Sequence, residues 1–324
     1  MRLLSLRFTA GFEKYMFIIM PLTLLLGVML SDQLISYVSW APYLFGYVTF
    51  VMAIGCGVRH LKKVVQRPAV MVVTLLLSHV LAPLIAYFMG TLLFGASSGY
   101  TIGLVLFTII PLGVSSVLWV SMSYGSVPLM LAMVVLDSAL SPLVVPGLIE
   151  LFFGAEVQFD TLSLIKDLML IIVVPTILGV IVYELSKGKF KEWSAPITAP
   201  ISKFCFMAVV LLNAAAIAPH VRSLDSSVIM AIISITFIVA LCYIIGFAGS
   251  FLLPYVSREI SVTMSYASGM RNISLGLVLA MGYFSPEAAI PVVLGILIQQ
   301  PLATVQHAVL KRFAPVKDKR LAAR

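Results

Sequence analysis

The chain has 324 residues, 61% of them hydrophobic and only 10% charged, with a mean hydropathy of +1.11. Soluble domains carry about a quarter of their residues as charge, so a water-soluble globule is excluded. The net charge of +8 sits in short polar connections between apolar runs, which is a membrane-topology signal and not a phosphate-binding groove, so no nucleic-acid partner is expected.

In chain order, ten apolar segments are predicted at about 15–31, 42–58, 69–95, 100–124, 126–153, 161–186, 195–219, 226–254, 258–284 and 286–310. Each approaches the roughly 20 residues a helix needs to cross the hydrocarbon core. The expected fold is therefore all-α and polytopic, a single membrane domain. Arg2, Arg7 and Lys14 lead into a first run with no small-residue cleavage site, so that run is expected to be a span and not a signal peptide. Threading ten spans puts Arg59, Lys62, Lys63, Arg67, Lys187, Lys189, Lys191, Arg258 and the basic tail from Lys311 to Arg324 on one side. Asp32, Glu156, Asp160, Asp225 and Glu287 fall on the other, with only Lys166 and Arg222 among them. The positive-inside rule then makes both termini cytoplasmic, in an inner membrane.

Ten spans divide into five plus five, and an odd-numbered repeat must be inverted relative to its partner. Repeats of about 10–153 and 160–312 are expected, with a short echo between Val58-Arg59-His60-Leu61 and Val221-Arg222-Ser223-Leu224. The better echo is a pair of interruptions at equivalent positions, in spans 4 and 9, because paired broken helices point to a transporter's binding site.

Span 3 holds His79, read either as an interhelical hydrogen-bonder or as a proton relay. Span 4 holds Pro111-Leu112-Gly113-Val114-Ser115-Ser116, where proline removes a backbone donor and glycine loosens the helix. Pro111 and Gly113 are thus expected to open the turn, with Ser115 and Ser116 offering hydroxyls to freed backbone or ligand; a simple proline kink is the bland alternative. Span 5 holds Asp137, the only acid deep within a span. Span 9 holds Ser268-Gly269-Met270-Arg271-Asn272 near the bilayer midplane, where a cation must face protein, water or a counter-ion. Asp137 is the expected partner of Arg271, as a structural lock or as a proton-exchanging pair. Asn213 and Gln299-Gln300 are expected to bond between helices.

Cys56, Cys205 and Cys242 are scattered, with no CxxC pair, so neither disulfide nor metal site is expected. No GxxxxGK[ST], HExxH or GxSxG is present, so the chain is expected to be neither ATP-driven nor an enzyme, and no cofactor is implied. A channel is the competing class, but no ring of repeated polar residues suggests one.

Pro-Leu-Gly-Val-Ser-Ser at 111–116, Leu140-Ser141-Pro142-Leu143 with Pro146, and Gly269-Met270-Arg271-Asn272 together resemble the bile acid:sodium symporter family over nearly the whole chain. The resemblance implies a panel of spans 1, 2, 6 and 7 against a core of spans 3–5 and 8–10, with substrate bound beside two crossing broken helices. It also implies oxygen-bearing side chains that hold two sodium ions. Ser116 keeps that pattern, but Val117, Met130, Val134, Ala267, Arg271 and Ser78 replace the asparagine, serine, threonine, glutamate and two glutamines expected there. Sodium needs several oxygens, and a like charge at 4 Å repels by about 4 kcal/mol at an effective dielectric near 20. The expected protein is a secondary transporter of a small organic anion without the usual sodium coupling: proton-coupled, an exchanger or a uniporter. A sodium symporter with rearranged ion sites is the alternative. The substrate and ion candidates are Ser78, His79, Ser115, Ser116, Asp137, Ser268, Gly269, Arg271 and Asn272, and Arg271 is expected either to tether the crossing or to bind a carboxylate.

Overall fold

The computed structural model describes residues 8–9, 11–12, 15–66, 68–154, 160–221 and 226–313. Arg2, Arg7, Lys14, Arg67, Glu156, Asp225, the tail beyond 313 and the Arg222-Ser223-Leu224 part of the echo lie outside the described residues. Within them the regular structure is all helix, joined by short turns and extended segments, with no strand beyond one isolated bridge between Leu112 and Arg271.

Among the described residues seven helices are long and apolar enough to cross a membrane. We number them with their shorter neighbours: α1 (Met16–Met29), α2 (Ser31–Ala53), α3 (Val58–Val65), α4 (Pro68–Phe94), α5 (Gly99–Ile109), α6 (Ser116–Met122) and α7 (Val127–Phe153). The second half follows with α8 (Thr161–Ser186), α9 (Lys189–Val221), α10 (Ser226–Leu252), α11 (Arg258–Gly269), α12 (Ile273–Tyr283) and α13 (Pro286–Phe313). The long ones are α2, α4, α7, α8, α9, α10 and α13; α1, α5 and α12 contain shorter apolar stretches. Large apolar side chains such as Phe88, Leu143 and Leu151 are more than two-thirds exposed. Such a surface is untenable in water and is what a helix presents to lipid.

The basic stretch after α2, expected as a loop, is the amphipathic helix α3, with Arg59 and Lys62 exposed. Helix α9 starts six residues before its apolar run and so takes Lys189 and Lys191 into its first turn. At the start of α8, Asp160 Oδ1 accepts from the amides of Leu162 and Ser163, both at 3.1 Å. The Ser163 hydroxyl, donating to Oδ2, holds this carboxyl below its ordinary pKa. The cap is therefore complete above the ordinary carboxylate range and is lost as pH falls through the lowered value.

Two sets of helices pack chiefly within themselves. Helix α9 lies on α1 and α2, and α8 on α2. In the other set α4 and α13 pack on α5, and α10 packs on α11 and α13. Small residues allow the closest approaches. Gly246 of α10 lies against Ser268 and the Met264 carbonyl of α11, where an added Cβ would come within 2.5 Å of that oxygen.

Candidate functional site

Helix α5 ends at Ile109 and α6 begins at Ser116; α11 ends at Gly269 and α12 begins at Ile273. Both expected interruptions are thus present, and the two extended segments lie against each other. Gly113 N–H donates to Met270 O (2.9 Å) and Asn272 N–H to Pro111 O (2.8 Å). A Cβ on Gly113 would stand 2.6 Å from the Arg271 carbonyl, and one on Gly269 would stand 2.3 Å from the Tyr243 ring. Only hydrogen fits at either place.

An opened helix leaves backbone groups that the bilayer core cannot hydrate, so each must find a partner in the protein. Leu112 N–H donates to Asp137 Oδ2 (2.7 Å) and Arg271 N–H to Gln299 Oε1 (2.7 Å). Gln299 Nε2 returns a bond to Arg271 O at 3.2 Å. Asn272 caps α12 by accepting from Leu275 N–H, and the Ser116 hydroxyl donates to Gly113 O. Gln300 accepts from Trp119 Nε1–H (2.9 Å) and reaches Ser115 Oγ at 3.4 Å.

Asp137 is 1% exposed, and its partner is not the expected one. His79 Nε2 lies 2.8 Å from Asp137 Oδ1, while the other oxygen holds the Leu112 amide. Arg271 is within electrostatic reach of Asp137 but forms no ion pair with it. Its guanidinium, in a residue only 2% exposed, donates through Nη2 to Ser78 O (2.9 Å), with the Cys242 thiol beside it.

The reason lies in α4. Residues Leu77–Leu81 form a wide π turn in which Ala82 N–H bonds to Leu77 O. In that register the next carbonyl, Ser78, would be met by residue 83, which is proline and has no N–H. Pro83 thus orphans the Ser78 carbonyl, and Arg271 satisfies it. Ser78 Oγ, His79 Nδ1, Ser268 Oγ and Arg271 Nε and Nη1 are buried and make no hydrogen bond to protein. Among the described residues no group of histidines, cysteines and acids has the makings of a metal site.

Beside the crossing lies a cavity of about 470 Å³, in the range that holds a drug-sized ligand. One wall carries Ser115, Asn272, Ser274, Gln299 and Gln300; the facing wall carries Phe45, Val48, Met52, Ser202, Lys203 and Phe206 from α2 and α9. Lys191 lies along the same lining, which among the described residues contains three cations and no acid. Helix α4 contributes nothing to this lining. Arg271 is on the lining, and its guanidinium also bonds to Ser78 O of α4.

The structure therefore gathers Ser78, His79, Asp137, Gly269, Arg271 and Asn272 about the crossing and puts Ser115 and Asn272 on the cavity. Ser116 and Ser268 are buried behind it. Lys203, Gln299 and Gln300 carry more of the site than the sequence reading gave them. The available signals were a lysine eight residues inside an apolar run, on one face with Ala199, Ser202 and Phe206, and adjacent amides in the middle of a span.

A model of the Sodium Bile acid symporter family matches residues 42–224. The chain is 34% identical over 297 residues to "Uncharacterized protein YbaS" of Bacillus subtilis (strain 168), covering 90% of this chain and 95% of that one. It is 24% identical over 257 residues to "Uncharacterized sodium-dependent transporter YocS" of the same bacterium, covering 78% and 77%. It is also 26% identical over 280 residues to "Probable sodium/metabolite cotransporter BASS2, chloroplastic" of Oryza sativa subsp. japonica, covering 84% and 65%.

Proposed function

The chain belongs to the Sodium Bile acid symporter family, a family of membrane transporters, and on that premise we propose that it carries a small organic anion across an inner membrane by alternating access. The observation that carries the reading is the cavity against the two broken helices, whose described lining includes Lys191, Lys203 and Arg271 and, among the described residues, no acid. Ten spans in two inverted repeats of about 10–153 and 160–312, with both termini cytoplasmic, are the architecture this reading adopts. The separate packing of α1, α2, α8 and α9 from α4, α5 and α10–α13 supports a panel that rocks against a core.

Transport proceeds without the family's sodium coupling in this reading. Met130, Val134 and Ala267 are fully buried side chains with no oxygen to give a cation. Arg271 places a fixed positive charge in the same core, bonded to a carbonyl that a proline has orphaned. The guanidinium stands in for the bound cation and ties α4 to the break. The His79–Asp137 contact supplies the groups for proton coupling, with exchange and uniport as the uncoupled forms.

The names of two relatives, a sodium-dependent transporter and a sodium/metabolite cotransporter, support a second reading, symport through rearranged sodium sites. Counterflow of radiolabelled monocarboxylates in proteoliposomes separates them. Exchange that persists when all sodium is replaced by potassium is expected. Steep sodium dependence would overturn the coupling, and conductance without saturable exchange would make the protein a channel.

A further inference from the structure

The stretch between α2 and α4 is short, basic and folded, and its side chains divide by face. In α3, His60 Nδ1 accepts from the Gly57 amide, and the imidazole stands edge-on to the Tyr183 ring of α8, with centroids 5.7 Å apart. Leu61 packs inward against the core. Glu184 Oε1 accepts from Val58 N–H at 2.6 Å, so this carboxylate satisfies a bare donor at the start of the helix. These contacts fix which face turns outward. Arg59, Lys62 and Gln66 lie on the outer face, all exposed. Their spacing of three and four residues puts them in one row, and the 2.9 Å bond from Gln66 N–H to Lys62 O carries the helical turn through to residue 66. Among the described residues neither cation forms an ion pair.

Gln66 is also the first residue of an apolar groove of about 400 Å³. Pro68, Ala69 and Val70 of α4 line it, and so do the 253–257 connection and Ile260 of α11. Tyr255 is 85% exposed, and Phe251, Leu252 and Val256 near it are exposed as well. Apolar and aromatic side chains at a helix end that also carries cations belong at the bilayer interface, where a ring lies among headgroups. On the α11 side Glu259 is exposed and Arg258 Nη1 donates to Ser123 O. The positive edge of the groove is therefore the α3 side.

A row of cations that runs into an apolar trough matches an amphiphile with an anionic head. We infer that this groove holds an anionic phospholipid of the adjoining leaflet, its phosphate diester on Arg59 and Lys62 and the start of an acyl chain between Ala69 and Tyr255. A zwitterionic lipid offers the same chain, but the cation in its head opposes the row. The groove shares no lining residue with the cavity at the crossing, so the inference stands whatever the protein carries.

The test titrates the full chain in mild detergent with dioleoyl phosphatidylglycerol and dioleoyl phosphatidylcholine and reads bound lipid by native mass spectrometry. A surface cation contributes about a fivefold preference for an anionic lipid, so phosphatidylglycerol is expected to bind roughly tenfold tighter or more. The preference should shrink as salt rises. R59Q/K62Q is expected to bring the two lipids to within about twofold, and R59K/K62R to keep them apart, both at the parent's lipid-free melting temperature. A69W, which fills the trough, should weaken both lipids about fivefold and leave their ratio unchanged. Equal binding of the two lipids by the parent overturns the inference, as does a preference that survives in folded R59Q/K62Q. Parent-like affinity in A69W overturns it too, since the chain then lies elsewhere. So does displacement of the lipid by free glycerophosphate, which would mark a site for a soluble phosphate ester.

Discussion

Asp137 commits both carboxylate oxygens to groups outside its own helix, the Leu112 amide of the first break and the His79 imidazole of α4. In a fully buried residue these bonds replace hydration that the core cannot supply, and each donor left bare costs about 1–3 kcal/mol. D137A therefore loses roughly 2–5 kcal/mol of stability, read as a lowered melting temperature in detergent and in nanodiscs. D137N keeps one acceptor and turns its NH₂ toward a donor, so it falls between parent and alanine. A variant of unchanged stability would show that the break is held elsewhere. Arg271 follows the same accounting from the other side: its burial is tolerated because Pro83 leaves the Ser78 carbonyl in need of a donor. A lone charge in a span reads as functional from sequence; its partner is a carbonyl left bare by a proline fifteen residues after the start of a different helix.

At the scale of elements, the site depends on two extended strips of backbone that lie in contact. Glycine at 113 permits this, because any Cβ would stand 2.6 Å from Arg271 O. G113A must push the strips apart and weaken the Gly113–Met270 and Asn272–Pro111 bonds. A loss of about 1–3 kcal/mol and a more than tenfold fall in counterflow are expected. Helical content by circular dichroism should stay constant, since α5 and α12 remain whole; intact transport in a folded G113A would mean that close contact of the breaks is dispensable. The interruptions themselves were legible, as Pro111-Leu112-Gly113 and Gly269-Met270-Arg271-Asn272 are plain breaks in apolar runs. The π turn at Leu77–Leu81 was not, because Pro83 in a span reads as an ordinary kink until the bond from Ala82 N–H to Leu77 O is seen.

For the whole molecule, the cavity between the two sets of helices reaches Lys191, whose side chain is exposed. That end bears the cations and is the cytoplasmic one in the orientation proposed from the positive-inside rule. A cysteine placed at Ser202, in a background freed of Cys56, Cys205 and Cys242, should react with a membrane-impermeant maleimide in inside-out vesicles and not in right-side-out ones. A saturating carboxylate probe should slow the reaction. Labelling from the opposite face would reverse the orientation and the direction in which the cavity opens.

Sequence alone determined that the chain is a bundle of membrane helices, because a bilayer admits only segments that bond their own backbone, and such segments announce themselves by length and apolarity. It also located both breaks, since proline and glycine act on the helix that contains them. Tertiary structure decided the partners. Asp137 went to His79 and not to Arg271, the arginine went to an orphaned carbonyl, and Lys203 came to face a cavity. Those outcomes depend on which faces of separate helices meet, and no local period in the chain records that.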